Sequence, residues 1–445
     1  MSTDIAAKLT RAGMAIAEAQ NKARLFERIG QALGTNDDGE ILRYHVPGRI
    51  EVLGKHTDYA GGRSLLCAAE QGICIAARRR PDTIISVADV VHGETTRFHF
   101  SADLAIPSAG WEVYPKTVAR RIARNFQGPL LGAAVAFGSD LPRAAGMSSS
   151  SALVVAMFTA LAIVNQLDQR DAYRLAIQRP EDLAEYLGCI ENGQTFRSLA
   201  GDRGVGTFGG SEDHTAILNA RPRHLVQYSF CPVRLEGSVK LPDDCIFVIA
   251  ISGVVADKTG SARDKYNRAS RAAQAVLEAW QSEAGSRSQT LAAAISSLTN
   301  GPETIRAALL HARAADFDSP ALLRRFEQFF LESETFVPQA SAALARGDLK
   351  NFGDLVEGSQ QAAEELLGNQ VGETMSLVRN ARMLGAYAAS AFGAGFGGSV
   401  WALVERDHAD AFANQWRDAY LAQYPEHTAR SQFFATSAGP PLIHL

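Results

Sequence analysis

Residues 142–153, Pro-Arg-Ala-Ala-Gly-Met-Ser-Ser-Ser-Ser-Ala-Leu, constrain this chain more than any other stretch. A proline turn, a glycine and four consecutive serines run straight into residues 152–164, which are almost uniformly apolar. A helix that is hydrophobic all round belongs inside a core, so this segment predicts a buried helix. Its N-terminus then lies in a Ser/Gly loop, with free backbone N–H groups and the positive end of the helix dipole, an arrangement that attracts phosphate. The serine hydroxyls add donors for phosphate oxygens and ligands for a hard cation such as Mg²⁺. Taken alone, the stretch reads equally well as a serine-rich cap on a core helix. Two other segments have to decide.

At 445 residues the chain exceeds the roughly 250–300 at which a single core stops growing, so two domains are expected. It is 46% hydrophobic and 21% charged, with a net charge of −4, which gives no hint of nucleic-acid or acidic-membrane binding. The arginine clusters at residues 78–80 and 120–124 are expected to be solvated faces. Cys67, Cys74, Cys189, Cys231 and Cys245 are odd in number and lack Cys-x-x-Cys spacing. That speaks against a disulfide framework or zinc site and fits a reducing cytosol. Residues 1–33 mix Lys8, Arg11, Lys22, Arg24 and Arg28 with alanines and leucines, the pattern of an amphipathic surface helix rather than a signal peptide. No apolar run approaches the ~20 residues of a membrane span. A cytoplasmic protein is expected.

Residues 34–39 form a polar break. Strands are expected over 41–46 and 50–53, with Pro47-Gly48 between them, then over 73–79, 83–87, 95–100 and 133–139, with a helix over 111–125. Strands gathered in a run, with helices following, suggest α+β rather than a doubly wound sheet. Residues 168–189 are helical in pattern, and 201–210 hold five glycines in ten residues, which marks a loop. Residues 245–251 form a buried strand by composition. From 262 to about 367 the chain is mostly helical, with breaks at 300–302 and 316–320. A domain boundary is expected near 230–245.

The second informative segment, residues 48–62, packs Arg49, Lys55, His56 and Asp58 into ten residues at the end of a strand. Such a loop suits a ligand with many hydroxyls, since each needs both a donor and an acceptor; the plain alternative is an exposed charged turn. The third, residues 393–398, reads Gly-Ala-Gly-Phe-Gly-Gly and satisfies the G-x-G-x-x-G pattern of dinucleotide binding. Its context opposes that reading. The glycines come late, no strand closely precedes them, and residues 400–404 look like a strand where a helix is required. A glycine loop feeding a strand instead brings backbone close to a ligand held elsewhere.

In order and spacing these segments resemble the GHMP kinases, and within them the galactokinases. The family's first motif, Gly-Arg-x-Asn-x-x-Gly-Glu-His-Thr-Asp-Tyr-x-x-Gly, is matched by residues 48–62 with His-Thr-Asp-Tyr intact. The second, Pro-x-x-x-Gly-Leu-Ser-Ser-Ser-Ala-Ser, is matched from Pro142, and the third, Gly-Ala-Gly-x-Gly-Gly, by residues 393–398. The likeness runs from Pro47 to about Val404. It implies an α+β, two-domain fold. Residues 1–235 would form a ribosomal protein S5 domain 2-like α/β domain, with 1–40 an extra helical segment. Residues 236–445 would form a ferredoxin-like α+β domain, with the site in the cleft between the two.

The resemblance also implies roles. Asp213, within 204–214, would be the catalytic base, with Arg49 orienting it and steadying the transferred phosphoryl group. His56, Asp58, Gly210 and Tyr266 would meet the sugar. The backbone of Gly146, Met147, Ser148, Ser149, Ser150 and Ser151 would cradle ATP, with Gly395, Gly397 and Gly398 closing over it. Ser149, Ser150 and Glu191 would hold Mg²⁺, although roughly ten extra residues intervene between Glu191 and the glycine loop. The expected reaction is galactose plus ATP to galactose 1-phosphate plus ADP, with a sugar and ATP as partners and neither nucleic acid nor membrane.

The chain departs from the family at Lys55, where galactokinases carry a glutamate facing the sugar's C6 hydroxyl. Lysine cannot accept a hydrogen bond but pairs well with a carboxylate, so a uronic acid (galacturonate or glucuronate) becomes a rival substrate. The plain alternative is that Lys55 points to solvent or pairs with a neighbouring acid. Glu51 replaces the usual asparagine, and Ser211, Glu212 and His214 replace Ile, Met and Gln around the base. These changes leave the kinase chemistry in place and open the identity of the sugar. A non-catalytic sugar-sensing relative is a further rival, opposed by the retained Asp213, Arg49 and serine loop.

Overall fold

Residues 41–79 fold as two long strands, β1 (Ile41–Leu53) and β2 (Arg63–Arg79), whose side chains are buried along most of their length. They pair antiparallel at the centre of the first sheet. The computed structural model describes residues 2–34, 40–142, 145–255, 262–314 and 316–445; the expected polar break at 35–39, and Arg143 and Ala144 of the serine loop, lie outside the described residues. β3 (Ile84–Asp89), β4 (Glu94–His99), β5 (Ala133–Ser139), β6 (His224–Ser229) and β7 (Arg234–Lys240) extend this sheet. A second, four-stranded sheet holds β8 (Cys245–Ile251), β9 (Ala388–Phe392), β10 (Ser399–Glu405) and β11 (Gln432–Thr436), in the order β11-β8-β10-β9. A last short strand, β12 (Ile443–His444), returns to the edge of β1. The first sheet thus runs β12-β1-β2-β5-β3-β4, with β6 and β7 on the other stretch of β2. Only β3 and β5 pair in parallel among the described strands, as an α+β rather than a doubly wound fold requires.

The two strands expected on either side of Pro47-Gly48 are one. The register with β2 shifts between Pro47 and Arg49, and this irregularity accommodates a proline that has no N–H to give the ladder. The helix expected over 1–33 is two, Ser2–Arg11 and Ile16–Leu33, the first packed on the second and the second against β2 and β5. The apolar run after the serines forms the helix Ser149–Val164, which lies in the main core against β1 and β2. Its burial is what fixes the position of the serines.

Between β8 and β9 the described residues are mostly helical. Two segments there, Leu331–Phe336 and Ala363–Leu367, wind as π-helix. The helices Gly372–Met383 and Ala409–Gln423 cover one side of the second sheet around Trp416 and Tyr420. Two expectations are corrected. A strand does precede the glycines at 393–398, since they join β9 to the antiparallel β10. The cluster at 120–124 is not a solvated face either: Arg121 is 2% exposed and donates to the Gln194 carbonyl, while Arg120 pairs with Asp202. No helix among the described residues is long and apolar enough to cross a membrane.

Candidate active site

Alternation along β1 puts Arg49 and Glu51 on one face of the strand, both almost fully buried. The Arg49 Nε donates to Asp213 Oδ1 at 2.8 Å, and Nη1 donates to the Gly146 carbonyl at 2.5 Å. The Arg49 backbone N–H donates to the Met147 carbonyl at 3.3 Å, so one residue ties the serine loop to Asp213. Asp213 occupies the first turn of the short helix Glu212–Asn219. Burial alone would pull the Arg49 guanidinium down, but Asp213, Glu51 and Glu212 outweigh it and hold its pKa above the ordinary value.

The Ser151 hydroxyl, fully buried, lies between two carboxylates: 2.8 Å from Glu191 Oε2 and 3.1 Å from Asp213 Oδ2. Helical phase explains why this serine is the one. Ser149 and Ser150 open the helix half-buried at the mouth of the loop, whereas Ser151 faces inward toward the helices Pro180–Asn192 and Glu212–Asn219. Ser148, in left-handed conformation before the helix, has a buried hydroxyl without a hydrogen-bond partner. The segment after Glu191 does not carry that residue away. It closes on itself, with the Asp202 N–H on the Gly193 carbonyl and the Val205 N–H on the Glu191 carbonyl, and Arg120 and Arg121 pin it from outside.

The loop after β1 supplies the other wall. His56 holds the Tyr59 hydroxyl with Nδ1 at 2.9 Å and the Ala394 carbonyl with Nε2 at 3.0 Å, so it bridges the first and third sequence motifs. Asp58 accepts from the backbone N–H groups of Tyr59 and Glu212. A Cβ on Gly210 would sit 2.4 Å from Asp58 Oδ2, so only glycine lets this backbone come so close. The Tyr266 ring lies 5.1 Å from that of His56, and burial together with Asp58 pushes its phenol well above the ordinary value. Arg49, His56, Asp58, Gly210, Asp213 and Tyr266 thus line one cavity with Ser151, Glu191 and Gly393. Gly395, Gly397 and Gly398 lie farther along the β9–β10 turn, outside that lining, all with positive φ.

Lys55 does not line the cavity. Its side chain is 1% exposed, and Nζ donates to Ser359 Oγ at 3.1 Å, which in turn donates to Glu332 Oε2 at 2.7 Å. The N–H groups of Gly54 and Lys55 both donate to Glu332 Oε1. The lysine is therefore neither solvent-facing nor turned to the ligand. Its ammonium is held by Ser359 and its backbone N–H by Glu332 of the π-helical segment.

Among the lining residues not assigned to the site from sequence are three titratable ones, Glu51, Glu212 and His214. Glu212 Oε2 accepts from Ser64 Oγ at 2.7 Å, and burial, then Glu51 and Asp58, push its carboxyl well above the ordinary range. His214 is buried with Nε2 3.2 Å from Glu191 Oε2, out of hydrogen-bonding alignment. The signal available was their departure from the motif consensus at 51, 212 and 214.

Comparison with known proteins points to one family. The galactokinase galactose-binding signature matches residues 33–79, the GHMP kinases N terminal domain matches 113–184, and the GHMP kinases C terminal matches 340–422. The galactokinase of Roseiflexus sp. is 29% identical over 399 residues, 89% of this chain and 91% of that protein. The galactokinase of Chloroflexus aggregans is 27% identical over 388 residues, 86% and 88% of the two chains. In fold, the chain resembles the Lactococcus lactis galactokinase solved with galactose, with a TM-score of 0.77 at 21% identity, covering 95% of this chain and 99% of the other.

Proposed function

The chain belongs to the GHMP kinases, and on that premise we propose that it transfers the γ-phosphoryl group of ATP to the anomeric hydroxyl of galactose. The observation that carries this reading is the continuous contact Arg49–Asp213–Ser151–Glu191 beneath a polyhydroxyl-binding wall of His56, Asp58 and Tyr266. Phosphoryl transfer through a loose transition state asks the protein mainly to position the reactants and neutralise spread charge. Asp213 orients the attacking hydroxyl and accepts its proton. Arg49 holds Asp213 in place and offers positive charge to the transferred group. Ser148, Ser149 and Ser150, with Gly146 and Met147, lie at a helix N-terminus suited to the ATP phosphates, and Gly395 to Gly398 close over them.

Ser151 and Glu191 fit a Mg²⁺ site of the kind that takes one or two protein oxygens and completes its shell with substrate phosphates and water. Among the described residues no group of three or more His, Cys, Asp or Glu forms a protein cage. When bound there, Mg²⁺ neutralises charge on the phosphates. The assignment moves the metal-side hydroxyl from Ser149 and Ser150 to Ser151. With Lys55 outside the cavity, the uronate alternative loses the residue it rested on. A cytoplasmic setting, which supplies ATP, suits the five free cysteines.

The test is a coupled ADP-release assay on galactose, glucose, mannose, galacturonate and glucuronate. Galactose should give the highest kcat/KM; a uronate ahead of it, or ADP release independent of sugar, overturns the reading.

A further inference from the structure

We propose that Glu51 and Glu212 form a hydrogen-bonded carboxyl pair that selects a neutral hexose, accepting one of its hydroxyls and turning away a carboxylate. This rests on the sugar-kinase reading above and specifies how that site chooses its substrate. The two residues come from different elements, β1 and the helix Glu212–Asn219, and meet in the wall of the cavity. Both are at least nine-tenths buried, and the two carboxyl groups gather around the same Arg49 guanidinium. Two carboxyl groups brought together in this way can hydrogen-bond only by sharing a proton. Glu212 is otherwise satisfied by Ser64. Glu51 Oε1, in contrast, is buried in the wall with no hydrogen-bond partner. A buried acceptor left without a donor is costly, so the missing donor is expected from the ligand.

The surroundings decide which donor. Arg49 is the cation nearest the pair, 3.8 Å from Glu51 Oε2 and 3.6 Å from Glu212 Oε1. Lys55 acts on Glu51 from behind, already engaged with Ser359. Asp58 and Asp213 face Glu212, and Glu332 faces Glu51. Anions outnumber cations around the pair, so a ligand carboxylate brought here meets repulsion while a hydroxyl meets an acceptor that lacks a donor. Burial and the neighbouring acids raise both carboxyl groups, which favours retention of the shared proton. That neutralised state suits a hydroxyl better than an ammonium.

The experiment measures kcat and KM for galactose, galacturonate and galactosamine, and KM for Mg·ATP, in the wild type, Glu51→Ala and the isosteric Glu51→Gln. Glu51→Ala should raise the galactose KM about tenfold or more while kcat and the ATP KM stay within about threefold, a split that a folding defect would not produce. Glu51→Gln, whose carbonyl still accepts, should recover part of the loss, and both variants should narrow the gap between galactose and galacturonate. A galactose KM within about twofold of wild type in both variants overturns the proposal, as does a wild type that prefers galactosamine to galactose. If Glu51→Ala fails to fold, Glu51→Gln alone carries the test: an unchanged gap between galactose and galacturonate refutes the pair's role. A wild type that phosphorylates none of these sugars contradicts instead the kinase reading.

Discussion

Asp213 accepts from Arg49 and shares the single Ser151 hydroxyl proton with Glu191, so its carboxylate is held from separate elements before any substrate arrives. Asp213→Asn keeps the shape and removes the proposed base. It should lower kcat about 10²–10⁴-fold while calorimetry finds ATP affinity little changed; a kcat near wild type would remove Asp213 from the mechanism. Lys55 makes the contrasting case. Its ammonium donates to Ser359 behind the cavity wall, so Lys55→Ala should cost stability, about 1.5–3 kcal/mol for losing a buried hydrogen bond from a charged group, and leave the ranking of galactose over galacturonate as it was. Urea unfolding beside the sugar panel separates the two effects, and a changed ranking with unchanged stability would return Lys55 to the sugar. Glu212 gives a pH signature. Its folded pKa is raised above the ordinary value of 4.5, so between that value and the folded one the native state holds more protons than the unfolded chain. Stability contributed by this group therefore falls as pH rises through that window. Glu212→Gln should flatten that part of the stability–pH curve, and an unaltered slope would show that Glu212 ionises normally.

At the scale of elements, the site depends on how helices deliver side chains to the ends of strands. The buried helix Ser149–Val164 turns Ser151 inward and leaves Ser149 and Ser150 at the mouth, a consequence of phase that the run of four serines conceals. The π-helical segment Leu331–Phe336 places Glu332 under the end of β1, where one carboxylate oxygen takes the N–H groups of Gly54 and Lys55. π-helical turns often occur at functional sites. Here the turn anchors the loop that carries His56 and Asp58. Glu332→Ala would orphan both N–H groups, at about 1–3 kcal/mol each. The expected outcome is a lowered melting temperature together with a raised galactose KM and an unchanged ATP KM. A variant as stable as wild type, with the same galactose KM, would show that the loop holds its shape without this acid.

For the whole molecule, legibility follows burial and turn chemistry. β5 and β8 fall at the residues expected for them, 133–139 and 245–251, because each is a short apolar run bounded by breakers. β9 escaped notice because Ala-Ala-Ser-Ala-Phe has little of the β-branched character that marks a strand, and its place is set by pairing with β10. The N-terminal part of β2 was hidden as well, since its Glu70 and Gln71 are buried polar residues, and Glu70 is satisfied by the Ala15 and Ser437 N–H groups from distant parts of the chain. Family likeness singled out Arg49, His56, Asp58, Gly210, Asp213 and Tyr266, which the fold brings to one cavity. The direction of Lys55 and the meeting of Glu51 with Glu212 were not legible, because both depend on which elements come together across the fold. The two sheets, their helices and the three motif loops converge on one cavity, and the central claim is the bond made there. Its most direct test is ³¹P NMR of the product formed from galactose and Mg·ATP. A single new sugar phosphate whose phosphorus couples to the anomeric proton is the predicted result; phosphate on any other hydroxyl, or no sugar phosphate at all, would contradict it.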